Sequence, residues 1–332
     1  MKLLREWITK VFKDTSPKRI LFRVDAGRIP GLSFGHLVRC LILSDVIKEI
    51  YHSNHLFLMR HYEDGVIHAK HKEDNLVLIP NELTQTEEKK FLFNNLNKFK
   101  PCWIIFDLPY SNIDTSYFSF IRSYGIKILF IDDALFVNPG VDVYLNSSIL
   151  ASKKMRTNKH EFTQYLLGPE YFILDESYES IPLVNKKFKL NVVLTFGGSD
   201  PTDLTVKVLR TLLTKKWQNI FFQIILGPGY QDIQSIKQLS ENRNEQFEVI
   251  VNPSKIFSFF QNCNLVVCAG GRTMYELFHL NKKFLPIATT EIEADTINAF
   301  IQQEIIGYGM TEWQPELFVN TMKRMLFNLK RD

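Results

Sequence analysis

Apolar residues in the first half of the chain form short, near-continuous runs: ILFRV at 20–24, WIIF at 103–106 and KILFI at 127–131. Runs of this length without polar alternation suit strands covered on both faces. Between them lie longer stretches with apolar positions three or four apart, notably Leu37–Tyr51 and Thr84–Leu96. The strand candidates are Arg19–Val24, His55–Arg60, Asn75–Ile79, Cys102–Phe106 and Lys127–Ile131, with a shorter one at Val143–Leu145. A second series begins near residue 190, with strands at Asn191–Phe196, Ile220–Leu226, Phe247–Val251, Leu265–Cys268 and Phe284–Ile287. Helical spacing follows most of these, at Asp203–Leu213, Asp232–Leu239, Ser254–Phe260 and Arg272–Leu280, and again from Pro315 to Lys330. Strands alternating with helices predict parallel βαβ units, and two such series predict an α/β protein of two Rossmann-like domains.

The stretch at about 140–190 is less regular and contains the polar run SKKMRTNKHE, so the domain boundary is expected near 175–190. The chain is accordingly read as an N-terminal amphipathic helix (1–18), a first domain (19–178) and a second (179–332) whose last helix can pack back on the first. The first helix carries Leu3, Leu4, Trp7, Ile8, Val11 and Phe12 at helical spacing with charges between. That stripe suits packing on the protein's own surface or, alternatively, peripheral contact with a membrane. No apolar run approaches the ~18–20 residues of a membrane span.

Composition adds limits. The 332 residues are 45% apolar and 23% charged, the balance of a folded globular chain. Forty basic against 36 acidic residues leave a net charge of +4, too small for a nucleic-acid-binding stripe but compatible with a local pocket for a small anion. Cys40, Cys102, Cys263 and Cys268 form no CxxC pair and lie mostly in apolar runs; they read as buried free thiols in a reducing, cytoplasmic compartment.

Open parallel sheets bind ligands beyond the carboxyl ends of their strands, so the turns after the strands are the candidate sites. The first reads RVDAGRIPGLSFGHLVRC: a strand ending at Asp25, a glycine-containing loop, then Gly35 and His36 at a helix start. A helix N-terminus favours a neutral imidazole, which prepares a general base, although a histidine can equally serve there as a cap or packing group. The glycine spacing is not GxGxxG, which argues against a dinucleotide. The second turn is TFGGSDPT. Gly197, Gly198 and Ser199 can present backbone N–H groups to a phosphate, Ser199 or Asp200 can cap the helix, and Pro201 falls in its first turn. The third is CAGGRTMYEL. Gly270 and Gly271 are followed by Arg272, suited to phosphate, by Thr273, and by Glu276, which can accept from two ribose hydroxyls or form a surface salt bridge. Asp107, and the pair Asp132 and Asp133, also follow strands and can act as acid–base groups, hold a metal, or order loops. His52, His55, His61, His68 and His71 lack a two-histidine-plus-acid arrangement and are expected on a solvated surface.

Taken together, FRVDAGRIPGLSFGHLVRCLIL, ILFIDDA, VDVYLNSS, YLLGPEYFIL, LTFGGSDPTDLT and VVCAGGRTMYEL resemble, in the same order over about residues 20–280, the PseG-type UDP-sugar hydrolases of pseudaminic acid biosynthesis and the spore-coat polysaccharide proteins. Both groups are relatives of GT-B glycosyltransferases. The resemblance implies a GT-B-like fold with a cleft between two domains and mostly parallel sheets. It implies His36 as the base that activates water. It implies contact of the nucleotide diphosphate with Gly197, Gly198 and Ser199, and of phosphate and ribose with Gly270, Gly271, Thr273 and Glu276. The implied reaction releases UDP from an amino-deoxy sugar with inversion at C1 and needs no metal or other cofactor. Two departures stand out: SFGH replaces the family's G-x-G-H, and TTEIEADTINAF, with Glu293 and Ala294, replaces its Asn-Gln pair. The alternatives are a glycosyltransferase of the same fold, with His36 activating a glycan or lipid hydroxyl, and an inactive nucleotide-sugar-binding protein.

Overall fold

The computed structural model describes residues 2–27, 32, 34–70, 75–108, 116–133, 140–155, 160–174, 188–198, 200–241, 243–253 and 256–329. The chain divides into two compact units, Met1–Glu176 and Ser177–Asp332.

The first unit runs α1 (Lys2–Phe12), β1 (Arg19–Val24), α2 (Gly35–Tyr51), β2 (Asn54–Arg60), α3 (Glu63–Lys70), β3 (Leu76–Ile79), α4 (Gln85–Phe99), β4 (Trp103–Asp107), α5 (Ser116–Ser123), β5 (Lys127–Ile131), β6 (Val143–Asn146), α6 (Ala151–Lys154) and β7 (Gln164–Leu167). Among the described residues its strands form one all-parallel sheet in the order β3-β2-β1-β4-β5-β6-β7. Alternate residues of β1 serve opposite faces. Ile20, Phe22 and Val24 join the core shared with α1 and α2, whereas Leu21 packs with Leu58, Ile104 and Phe106 on the other side. Two-sided burial is why these strands read as continuous apolar runs. Register sets Phe22 beside Phe57 of β2 and Ile105 of β4.

α1 spends its apolar stripe inside this unit. Leu4, Trp7, Ile8, Val11 and Phe12 are all buried, and Phe12 meets Trp103 edge to face at 4.8 Å. The stripe is therefore packed on the protein's own body, the first of the two readings above, and is not left as the membrane-contact face of the alternative. α4 starts from a capping box in which Thr84 and Glu87 bond reciprocally.

The second unit runs β8 (Leu190–Thr195), α7 (Leu204–Leu213), β9 (Ile220–Leu226), α8 (Ile233–Glu241), β10 (Phe247–Val251), α9 (Ile256–Gln261), β11 (Leu265–Ala269), α10 (Arg272–His279), β12 (Phe284–Ile287), α11 (Glu291–Gln302) and α12 (Pro315–Leu329). Its parallel sheet has the order β10-β9-β8-β11-β12. The last helix, α12, buries Phe318, Met322 and Leu326 in this unit's own core with Leu209 and Leu212 of α7. Both lobes are mostly parallel sheets flanked by helices, the two-Rossmann arrangement of a GT-B-like fold.

In both sheets the strand order reverses at the first strand: β1 lies between β2 and β4, and β8 between β9 and β11. The carboxyl ends of β1 and β4, and of β8 and β11, are therefore the topological switch points where such sheets receive ligands.

Candidate functional site

At the first switch point, α2 brings His36, Arg39 and Cys40 onto one face by their three- and four-residue spacing, opposite Asp107 at the end of β4. His36 Nδ1 lies 2.7 Å from Asp107 Oδ1. Arg39 donates through Nε to Asp107 Oδ2 and through Nη2 to Asp107 Oδ1 at 2.5 Å, and its Nη1 reaches both oxygens of Asp133 at 2.7 and 2.8 Å. Cys40 Sγ stands 3.7 Å from Asp107 Oδ2. Asp107 is fully buried. Burial alone would raise its carboxyl, but the charge and hydrogen bonds of Arg39, with a smaller contribution from His36, hold it at about 2. An ionised Asp107 can only accept, so the proton of a neutral His36 is on Nδ1 and Nε2 is left as the basic nitrogen. Arg39 Nη2 is also 3.1 Å from Nδ1, but its shorter bond goes to the carboxylate.

The other sequence candidates of this unit fall elsewhere. Asp25 is buried, with Arg23 on both its oxygens at 2.7 and 3.0 Å and the Arg60 backbone N–H at 2.7 Å. Arg23 and Arg60 also hold Glu88 of α4, so Asp25 belongs to a buried ion network that ties the ends of β1 and β2 to α4. Asp132 accepts from Tyr144 Oη and is thereby separated in role from Asp133. Among the described residues no cluster of histidine, cysteine and carboxylate groups is arranged to hold a metal ion. The histidine run is not a uniform surface. His55 is buried between Ser44 Oγ and Ser53 Oγ, each 2.7 Å from a ring nitrogen, while His52 ends α2 in the left-handed region and His71 lies outside the described residues. The expectation of buried thiols holds for Cys40, Cys263 and Cys268 but not for Cys102, which precedes β4 and is exposed.

At the second switch point, Gly197 takes φ 88°, a value that favours glycine, and Gly198 follows it exposed. Gly227, after β9, supports this turn closely: a Cβ there would come within 2.5 Å of Gly197 O and of Gly198 Cα and O. Ser199 lies outside the described residues. Asp200 caps α7, accepting from the N–H groups of Leu204 and Thr205 at 2.9 and 2.7 Å, so the helix starts after Pro201 rather than with Pro201 in its first turn. Gly270 and Gly271 link β11 to α10, which begins at Arg272 and Thr273. Arg272 Nε stands 3.4 Å from Glu276 Oε1 one turn on. Burial raises the Glu276 carboxyl more than Arg272 lowers it.

One contributor was missed by sequence reasoning, and a second was noted only as a departure from the family pattern. Arg39 joins His36, Asp107 and Asp133, and its signal was the H-x-x-R spacing. Glu293 of α11 lies against the Gly270–Gly271 turn: a Cβ on Gly270 would meet Glu293 Cβ at 2.8 Å, and one on Gly271 would meet Oε1 at 3.1 Å. Its Oε2 accepts from Thr289 N and Oγ1, both at 2.7 Å.

The fold is GT-B-like, the architecture also seen in glycosyltransferases and epimerases of known structure. Among curated proteins, the chain is 23% identical over 285 residues to the uncharacterised protein MJ1062 of Methanocaldococcus jannaschii, covering 82% of the chain but 56% of that protein's length. It is 22% identical over 319 residues to the spore coat polysaccharide biosynthesis protein SpsG of Bacillus subtilis, covering 91% of the chain and 87% of SpsG. Similar solved structures include a glycosyltransferase of Rickettsia africae (TM-score 0.57, 10% identity, 94% and 89% of the two chains). They also include Alr3699/HepE of Anabaena in complex with UDP-glucose (0.56, 11%, 94% and 90%) and UDP-N-acetylglucosamine 2-epimerase of Rickettsia bellii (0.54, 13%, 93% and 88%). No protein-family model matches the chain.

Proposed function

We propose that this protein transfers a sugar from a UDP-sugar to an acceptor hydroxyl, with the first unit supplying the base and the second gripping the nucleotide. The observation that carries the reading is His36 Nδ1 on the ionised Asp107, which leaves Nε2 to take a proton. In the proposed step the acceptor O–H gives its proton to Nε2 and its oxygen attacks C1. The C1–O bond to the β-phosphate breaks, and the electron pair leaves on UDP. One displacement inverts C1. Backbone N–H groups of the Gly197–Gly198 and Gly270–Gly271 turns, with the start of α10 and Arg272, would stabilise the departing diphosphate, and Glu276 would accept from the ribose hydroxyls. The complex of HepE with UDP-glucose and the polysaccharide role in the name of SpsG support a nucleotide sugar as donor.

Hydrolysis is the second reading. It is favoured by the residue pattern FGHLVRC, LLGPEY and FGGSDP, and differs only in that water replaces the acceptor. UDP release measured with and without candidate acceptors separates the two: release that requires an acceptor supports transfer, and equal release without one supports hydrolysis. His36→Ala should lower turnover by about 10²–10⁴ while UDP affinity stays unchanged. Near-normal turnover in that variant would remove His36 as the base, and UDP binding without turnover on any sugar would leave a binding protein.

A further inference from the structure

The first unit carries an aromatic cluster that neither its core nor its site absorbs. Phe93 of α4 and Phe120 and Tyr124, on and just after α5, form a closed triangle of rings, with centroids 5.9 Å apart for Phe93–Phe120, 5.4 Å for Phe93–Tyr124 and 5.2 Å for Phe120–Tyr124. Phe93 is half-buried, while Phe120 and Tyr124 are 41% and 48% exposed. Among the described residues the charges near them are mostly basic. Lys89 and Lys90 stand one turn before Phe93, and Lys100 two turns after it. Lys89 Nζ reaches Ser116 Oγ of α5 at 2.5 Å, which sets its charge beside the rings. Of the two acids of α4, Glu88 is buried on Arg23 and Arg60, and Glu87, bonded in the Thr84 capping box, stays exposed near Lys90. α5 has no acidic residue.

We propose that this α4–α5 face is a peripheral docking surface for an anionic phospholipid bilayer. Exposed aromatic rings rimmed by lysines are the chemistry of the membrane interface. The rings enter the headgroup level and the lysines lie along it with their charges on lipid phosphates. Protein–protein interfaces are instead depleted in lysine. Size argues the same way. Two half-exposed rings offer roughly 200 Å², well short of the ~800 Å² per partner of a stable protein interface. No helix among the described residues is long and apolar enough to cross a membrane, so the contact is peripheral. It is also distinct from α1, whose stripe is buried.

The test is co-sedimentation of the full chain with vesicles of phosphatidylcholine, alone or with about a third phosphatidylglycerol, at low and high salt. The expected result is binding to the anionic vesicles at low salt that high salt weakens strongly. The double variant Phe120→Ser/Tyr124→Ser should reduce partitioning about tenfold. Each lysine near an anionic leaflet is worth about fivefold, so Lys90→Gln/Lys100→Gln should reduce it about 25-fold. Leu3→Ser, on the exposed side of α1, should leave it unchanged. Circular dichroism and the melting temperature of each variant check that it is folded. The proposal is overturned by absence of binding to anionic vesicles, by binding that the two double variants leave intact, or by a loss that follows Leu3→Ser instead. It is also overturned if the wild-type chain is a dimer in solution that Phe120→Ser/Tyr124→Ser converts to a monomer, since the face then belongs to a second copy.

Discussion

The proposed chemistry converges on one buried carboxylate. Asp107 accepts from His36 and from two nitrogens of Arg39, so three donor nitrogens of two side chains share four lone-pair sites. Asp107→Asn keeps the shape but presents either an amide donor or a weaker acceptor to Nδ1, and so releases the tautomer. Turnover should fall by about 10²–10⁴ with UDP affinity unchanged, as read by steady-state kinetics and nucleotide titration. Arg39→Gln acts differently. It strands a buried negative charge and should cost about 3–5 kcal/mol of stability, measurable as a lower urea midpoint, as well as activity. A small kinetic loss in Asp107→Asn would show that Asp107 serves folding only. His36 was legible as a candidate because it stands at a helix start after a strand, where position left a base and a cap equally open and the family resemblance implied the base. Asp107 was legible as a carboxylate after a strand but not as its partner, since it is 71 residues away and only the adjacency of β1 and β4 brings the two together.

Elements were legible where burial is symmetric. The β5 run KILFI, covered on both faces, coincides with the expected strand Lys127–Ile131. Elements whose apolar content is small or interrupted escaped: the strand β7 with QYLL, the short helix α3, and α11, whose acidic first turn EIEAD hides its buried Ile297 and Phe300. The Thr290 hydroxyl that accepts from Glu293 N is the start signal that was present for α11. Two predictions belong at this scale. Gly227→Ala drives a methyl group into the backbone of the Gly197–Gly198 turn, so it should cost about 1–3 kcal/mol of stability and weaken UDP binding by displacing the turn. His55 of β2 is tied to α2 through Ser44 and to the connection before β2 through Ser53. Burial, with a smaller contribution from the Lys48 charge, lowers its pKa to about 3. The unfolded chain binds a proton near the ordinary value of ~6.5 and the folded one does not, so the stabilisation is present above that pH and is lost as pH falls towards 3. Urea midpoints should fall between about pH 7 and pH 4.5, and His55→Gln should flatten that part of the curve.

At the scale of the molecule, the two units divide the labour proposed for them. If the second unit holds the nucleotide, UDP at a hundredfold excess over its Kd adds about 2.7 kcal/mol to that unit's stability. For a unit of this size that is a rise of roughly 5–10 °C in melting temperature. Calorimetry should show the rise in the transition of Ser177–Asp332. A rise confined to the transition of Met1–Glu176 would move the nucleotide to the other sheet.

The burial of α1 has a consequence for how the chain is made. Phe12 packs on Trp103 of β4, and α1 touches the Pro169–Tyr171 turn that follows β7, so α1 is made well before the last part of its docking surface. About 160 residues separate the two, which at ~5–20 residues per second amounts to roughly ten to thirty seconds of synthesis. Throughout that interval an amphipathic helix with its aromatic side uncovered is presented to the cell, the kind of segment that chaperones hold until its docking surface exists.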